Sequence, residues 1–428
     1  VGAELRRLGP GVLRLGDELA YVDLVETRAG TIRVGGMPEV SKLLRRWFLF
    51  HRFVLVPPVV TTPAGDTVTG EEFVFWTAIL AAKMAGTYVG RPRELALLRA
   101  YLAECIPFQF TADWLRIRRT DWLDRLYAEE PAGRDGTWRA GPVTVELGQG
   151  RCRIRDGRRV VYDAERLRPR MGVAAAVERA LARVRRDGRP RARPEVIPVG
   201  TGNGFAGRSS SFLIRYGDRR LWIDPCGRPH EALAAVGVHW DDVTDYLVTH
   251  VHEDHIGGLT ACVARAAERG ERMRVLTTPS IRAALTRRCR GLAPRAWGAL
   301  DFVEVVPGVA LDYGGAEILT RLNHHPLPSG TLGLKLRFGQ RAIGISGDTK
   351  YDEVLVARLD RKELAAEWFA DCDLVFHEVD PVYPQGVHSS LGEVLKLQRG
   401  LRCPLYAYHT VADPRPLSLA REGRVYRL

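Results

Sequence analysis

The segment His250-Val-His252-Glu-Asp254-His255-Ile-Gly-Gly258 places four ligand-type side chains within six residues. His250 and His252 alternate on the turn that leaves an apolar run, so their imidazoles can address one cation. Asp254 and His255 open a helical segment and face a second. So dense a set of ionisable groups, buried without an ion, would be costly, and the chemistry indicated is metal-assisted. Four more apolar runs stop at a residue of the same kind: Ile318 to Asn323 at His324, Ile343 to Gly347 at Asp348, Leu374-Val-Phe at His377, and Leu405-Tyr-Ala-Tyr at His409. Strand ends that share a direction can bring such groups to one cleft while holding them on rigid supports.

The elements that must do this positioning are short β runs at Glu195–Val199, Ser211–Tyr216, Arg219–Ile223, Asp245–Thr249, Glu317–Leu322, Leu332–Phe338 and Ala342–Ser346, some separated by helical segments. The pattern predicts two mixed sheets packed together with helices outside, and no repeat of short fixed period is visible. Upstream, Glu39–Phe53, Glu71–Ala85 and Pro92–Cys105 read as helices and Trp138–Tyr162 as strands, an α+β region of unassigned family. Val173, Val177, Leu181 and Val184 line one face of a helix whose other face carries Arg179, Arg183 and Arg186, a solvated basic face. The Pro- and Arg-rich stretch from Asp187 to Pro198 reads as a linker and divides the chain into residues 1–190 and 195–428.

A chain of 428 residues accommodates two domains. Its net charge of +12 is concentrated: residues 151–193 hold fifteen arginines against five acids, leaving the carboxy-terminal half near neutral, unlike a surface that tracks a long polyanion. The seven cysteines are scattered and odd in number, which predicts buried thiols in a reducing cytosol. No apolar run is long enough for a membrane span, no signal-peptide pattern is seen, and a cytoplasmic protein is expected.

The pattern His-x-His-x-Asp-His-x-Gly-Gly resembles the signature of the metallo-β-lactamase superfamily. That resemblance implies an α/β fold, an αββα sandwich, with two zinc ions, or manganese or iron in their place. It assigns Asp224 in Leu-Trp-Ile-Asp-Pro-Cys-Gly to support of the metal loop, His324 (with His325 as the alternative) to the first ion, Asp348 to a carboxylate bridging both ions, and His409 to the second. Within the superfamily the chain is similar to the tRNase Z-like branch. Gly200 to Ser211 matches that branch's opening Gly-rich loop, with Arg208 and Ser209 as substrate contacts, although Ser209 stands where the branch has Asn. A strand follows this loop, which removes a dinucleotide-binding reading. His377-Glu378 and His388-Ser389-Ser390 resemble the branch's His-Glu and His-Ser-Thr motifs.

The resemblance implies a metal-dependent hydrolase in which Asp254 accepts a proton from water and His388, oriented by Glu378, protonates the leaving oxygen. The stretch from His324 to Asp348 is too short for a tRNA-gripping arm, and no large insertion follows Asp348, so tRNA and long nucleic acids are disfavoured. The expected substrate is a small phosphodiester such as a cyclic nucleotide. Hydrolysis of a lactone, thioester or β-lactam is the alternative chemistry, and a metal-holding regulatory partner protein the alternative class. A homodimer is compatible with the sequence.

Overall fold

A computed structural model describes residues 4–16, 21–35, 42, 51–55, 72, 86–105, 127–148, 151–166, 173–291, 293–351, 366–382 and 386–428. The helices expected at Glu39–Phe53 and Glu71–Ala85 lie almost wholly outside these residues. The chain divides into two units, Val1–Arg179 with Arg287–Trp297, and Ala180–Thr286 with Gly298–Leu428.

In the first unit β1 (Glu4–Gly9), β2 (Val12–Gly16), β3 (Tyr21–Thr27), β4 (Gly30–Val34), β5 (Phe53–Leu55), β6 (Thr87–Gly90) and β7 (Ala128–Pro131) form one sheet in that order, with α1 (Pro92–Cys105) between β6 and β7. A second sheet is the meander β8 (Thr137–Ala140), β9 (Val143–Gly148), β10 (Arg151–Asp156) and β11 (Arg159–Asp163). Val12, Val25 and Phe53 from the first sheet share a core with Trp138, Val145 and Ile154 from the second. α2 (Val173–Ala182) buries Val177 and Leu181, as its apolar stripe requires.

The second unit opens with β12 (Arg191–Gly200), β13 (Ser211–Gly217) and β14 (Arg219–Ile223), continues through α3 (Pro229–Ala235), β15 (Asp245–Leu247), α4 (Glu253–Ile256), α5 (Leu259–Glu268), β16 (Met273–Thr277) and α6 (Pro279–Cys289), and reaches β17 (Leu300–Glu304). Then follow β18 (Leu311–Tyr313), β19 (Ala316–Leu322), β20 (Leu332–Phe338), β21 (Arg341–Ile345), β22 (Leu374–Glu378), α7 (Leu391–Arg399), β23 (Leu405–Tyr408), β24 (Ser418–Leu419) and β25 (Tyr426–Arg427). Two seven-stranded sheets result, ordered β17-β16-β15-β14-β13-β12-β25 and β18 through β24.

Alternation along each strand decides which layer it faces. Phe376 of β22 and Tyr408 of β23 meet Phe212 of β13 across the sheets, with ring centroids 5.1 and 4.9 Å apart. Such ring pairs add about 0.5–1.5 kcal/mol each beyond the area they bury. The intervening positions Val375, Leu405 and Ala407 pack with Val394 and Leu397 of α7 on the outside. This is the expected αββα arrangement.

The stretch from Asp187 to Pro198 is not a linker: strand β12 begins at Arg191 and runs through it. Pro194 and Pro198 are tolerated because the ladder to β13 is irregular on both sides of Glu195–Pro198, and β25 pairs with β12 only at Glu195 and Val196. Glu195 carries ion pairs from Arg215 at 2.6 Å and Arg427 at 3.0 Å, partners distant in sequence.

The two units share a topology. Across β2 to β7 the neighbouring pairs are antiparallel twice and then parallel three times, and the same succession runs across β12 to β17. The antiparallel meander β8 to β11 corresponds likewise to β18 to β21.

Candidate metal centre

Strands β14 and β15 are parallel, as are β21, β22 and β23, and β19 runs in the direction of β21 because each is antiparallel to β20. Their carboxyl ends carry the site. Asp224 follows β14, His250 and His252 follow β15, and Asp254 and His255 lie in α4. His325 is in the β19–β20 connection, Asp348 just after β21, Glu378 at the end of β22, His388 two residues before the Ser390 cap of α7, and His409 after β23.

His252 Nδ1 lies 3.2 Å from both His250 Nε2 and His325 Nε2. Ligand atoms on a tetrahedral zinc, with bonds of about 2.0–2.1 Å, are separated by about 3.3 Å. Asp348 approaches all the other imidazoles: Oδ2 is 3.7 Å from His250 Nε2 and 3.3 Å from His409 Nε2, and Oδ1 is 3.4 Å from His255 Nε2. His409 Nε2 is also 3.3 Å from Asp254 Oδ2. Of four overlapping groups whose donor atoms are close enough for one cation, two share no residue and cover seven of the side chains: His250, His252, His325 with Asp348, and Asp254, His255 with His409. His255 Nε2 and Asp348 Oδ1 are buried and without a hydrogen-bond partner, as atoms reserved for an ion would be. The residues present fit a metal pair.

Asp224 sets proton positions from behind. It accepts from the Thr249 amide at 2.7 Å through Oδ1, and from the Thr249 hydroxyl at 2.6 Å through Oδ2. Oδ2 also lies 2.8 Å from His255 Nδ1. His255 thus donates from Nδ1 and turns Nε2 into the site. Thr249 Oγ1 has spent its single proton on Asp224, so it accepts from His250 Nδ1, 2.9 Å away. One carboxylate thereby orients two imidazoles.

Burial pushes the His250 and His325 imidazoles well below their ordinary pKa, which keeps them neutral and ready to ligate. Burial opposes charge on His255 too, but Asp348, Asp254 and Asp224 outweigh it and raise its pKa strongly. Asp348 is held well below the carboxylate range because His409 and His255 overcome the cost of its burial. His388 Nδ1 lies 3.2 Å from Glu378 Oε2 and 3.9 Å from Asp348 Oδ2. Against burial, these carboxylates push its pKa up to about 9.

Four residues lie otherwise than the sequence suggested. His325, not His324, joins the cluster: His325 is buried while His324 is exposed, its ring directed away by the loop. His377 takes no part, because strand alternation turns it outward, 6.0 Å from the Phe369 ring with Nδ1 at the Glu378 carbonyl, while Glu378 faces inward. Arg208 is engaged elsewhere, donating to the Val199 carbonyl at 3.0 Å and to Glu422 at 3.1 Å. Ser209 is buried and bridged to Gly202, a loop-building position. Sequence reasoning overlooked Thr249 and Asn323; each directly precedes a histidine motif, the only local signal of either role.

Two facing mixed sheets whose strand ends gather this histidine and aspartate set define a metal-dependent hydrolase of the metallo-β-lactamase fold. The family model of the anti-Pycsar protein Apyc1 matches residues 194–425, and the chain belongs to that family. The Apyc1 protein of Saccharibacillus brassicae is 26% identical over 235 residues, covering 53% of this chain and 93% of the relative. The cAMP/cGMP-dependent 3′,5′-cAMP/cGMP phosphodiesterase B of Dictyostelium discoideum is 24% identical over 213 residues, 47% of this chain but only 19% of that protein's length. Among solved structures, the metallo-β-lactamase fold protein YhfI from Bacillus subtilis aligns with a TM-score of 0.46 and 16% identity, over 55% of this chain and 99% of that one.

Proposed function

We propose that the second unit binds two zinc ions and hydrolyses a 3′,5′-cyclic nucleotide. His250, His252 and His325 would hold one ion and Asp254, His255 and His409 the other, with Asp348 within reach of both sets. Bound divalent ions supply Lewis-acid polarisation of the phosphoryl group and acidify a water molecule. Asp254 would accept the proton that such a water gives up. The observation that carries the reading is the His388–Glu378 pair beside Asp348. With Nδ1 turned to Glu378, His388 has Nε2 left to donate a proton to the departing ribose oxygen, a poor leaving group that needs an acid. A lactone or β-lactam hydrolase has less need of such a donor. The name of the Dictyostelium relative agrees with a cyclic nucleotide substrate.

The test is a panel assay on metal-analysed protein, with purine and pyrimidine 3′,5′-cyclic nucleotides, lactones and β-lactams. Turnover of cyclic nucleotides that falls about 10²–10⁴-fold in His388→Ala is expected. Lactone or β-lactam turnover insensitive to His388 overturns the reading, as does metal-loaded protein that turns over nothing.

A further inference from the structure

Asp348 sits at the centre of the cluster, yet it lies on irregular backbone between β21 and residue 351. Backbone bonds flank it, from the Ser346 amide to the Phe376 carbonyl at 2.9 Å and from the Lys350 amide to the His324 carbonyl at 2.7 Å, and side chains hold the residues between. On one side the Asn323 amide donates from Nδ2 to the carbonyls of Ser346 at 2.7 Å and Asp348 at 3.0 Å, spanning Gly347. Arg321 Nε donates to Asn323 Oδ1 at 3.1 Å and fixes which end of the amide points to the loop. On the other side the Ser389 hydroxyl donates to the Thr349 carbonyl at 2.7 Å and accepts from the Tyr351 amide at 3.0 Å. Glu378 Oε1 joins both segments, accepting from the amides of Thr349 at 2.9 Å and Ser389 at 3.1 Å.

Both clamps are placed next to chemistry. Asn323 lies two residues before His325, so its two bonds tie one candidate ligand's strand to the bridging carboxylate. Ser389 directly follows His388, so its hydroxyl registers the proposed acid against the Asp348 loop. Asn323 is nine-tenths buried and Ser389 wholly so, which leaves no competing water to loosen either contact.

We propose that Asn323 and Ser389 are positioning residues with separable roles: Asn323 sets the geometry of the metal pair, and Ser389 sets the placement of the proton donor. The proposal rests on the metal-dependent phosphodiesterase reading. It divides the loop's hydrogen bonds by consequence. Loss of the Asn323 bonds removes the contact to the Asp348 carbonyl itself and weakens its tie to the His325 strand, whereas loss of the Ser389 hydroxyl leaves those two bonds on Asp348 and frees His388.

The experiment compares the wild-type chain with Asn323→Ala, Ser389→Ala and the smaller changes Asn323→Ser and Ser389→Cys. Zinc affinity is measured by chelator competition, unfolding of the metal-free protein by circular dichroism, and kcat and KM on a 3′,5′-cyclic nucleotide and on bis-p-nitrophenyl phosphate. The Asn323 variants should bind zinc about 10–100-fold more weakly. The Ser389 variants should keep wild-type zinc affinity and lose at least about tenfold in kcat on the cyclic nucleotide, with little loss on the nitrophenyl ester, whose leaving group needs no acid. Wild-type zinc affinity in the Asn323 variants, or equal loss on both substrates in the Ser389 variants, overturns the proposal. Failure of both variants at either position to fold in saturating zinc overturns it as well, because the role is then structural. A wild-type protein that binds no zinc refutes the functional reading itself.

Discussion

Asp224 lies behind the cluster of donor atoms, and its influence runs through the protons of Thr249, His250 and His255. Asp224→Asn keeps the shape but offers an amide where the His255 Nδ1–H needs an acceptor. Zinc affinity should fall about 10–100-fold, read by chelator competition, with the second group of ligands affected first. The neighbouring histidines supply a matched pair. His325→Ala should lose zinc, whereas His324→Ala, an exposed position whose backbone carbonyl alone serves by accepting from Lys350, should retain it; metal analysis of the two proteins distinguishes them.

At the scale of elements, the turn leaving β21 depends on Gly347, which has φ +62°, and a Cβ there would lie 2.0 Å from the Leu332 carbonyl oxygen. Gly347→Ala combines left-handed strain with a backbone clash and should cost about 2–5 kcal/mol, measurable by urea unfolding of the metal-free protein. A second device lies away from the site. Asp241 receives Arg265 Nε at 3.1 Å and Nη2 at 3.0 Å and also pairs with Arg269, pinning α5 and its end to the turn before β15. Burial works to raise the Asp241 pKa, but the Arg265 bond and the two guanidinium charges lower it below the ordinary value. A carboxyl with a depressed folded pKa contributes stability that is complete above its unfolded value of about 3.9 and is lost as pH falls through the folded one. Asp241→Asn should therefore destabilise by about 1–3 kcal/mol at neutral pH, with the gap to wild type closing only below about pH 4 in paired denaturation curves.

At the scale of the molecule, the first unit repeats the strand succession of the second, and among the described residues the clusters able to hold a metal all lie in the second. Only Gln149 and Gly150 separate β9 from β10 in the sequence, where the corresponding β19–β20 connection carries His325. The residues after β5 read Val56-Pro57-Pro58-Val59, where those after β15 lead into His250 and His252, and of the eleven histidines only His51 precedes residue 230. Metal analysis should find two ions per chain, both lost from a His250→Ala, Asp348→Ala double variant; four per chain, or two retained by that variant, contradicts a metal-free first unit. Among the described residues no helix is long and apolar enough to cross a membrane.

From sequence alone the metal chemistry was legible, because spacing within a few residues decides which side chains leave a strand end together: His250, His252, Asp254 and His255 are neighbours before any folding. The sandwich was legible for the same reason, since alternation and apolar run length are local. The tertiary structure decided what depends on partners far along the chain. Whether His324 or His325 enters the cluster, and whether His377 or Glu378 faces inward, follows from which side of a strand or loop meets the opposite sheet. Strand β12 forms through a proline-rich stretch because β13, β25 and two distant arginines receive Glu195 and its neighbours. Short-range pattern carries ligand type and period; the choice of face, register and hydrogen-bond partner is made by contacts that exist only once the sheets have closed on each other.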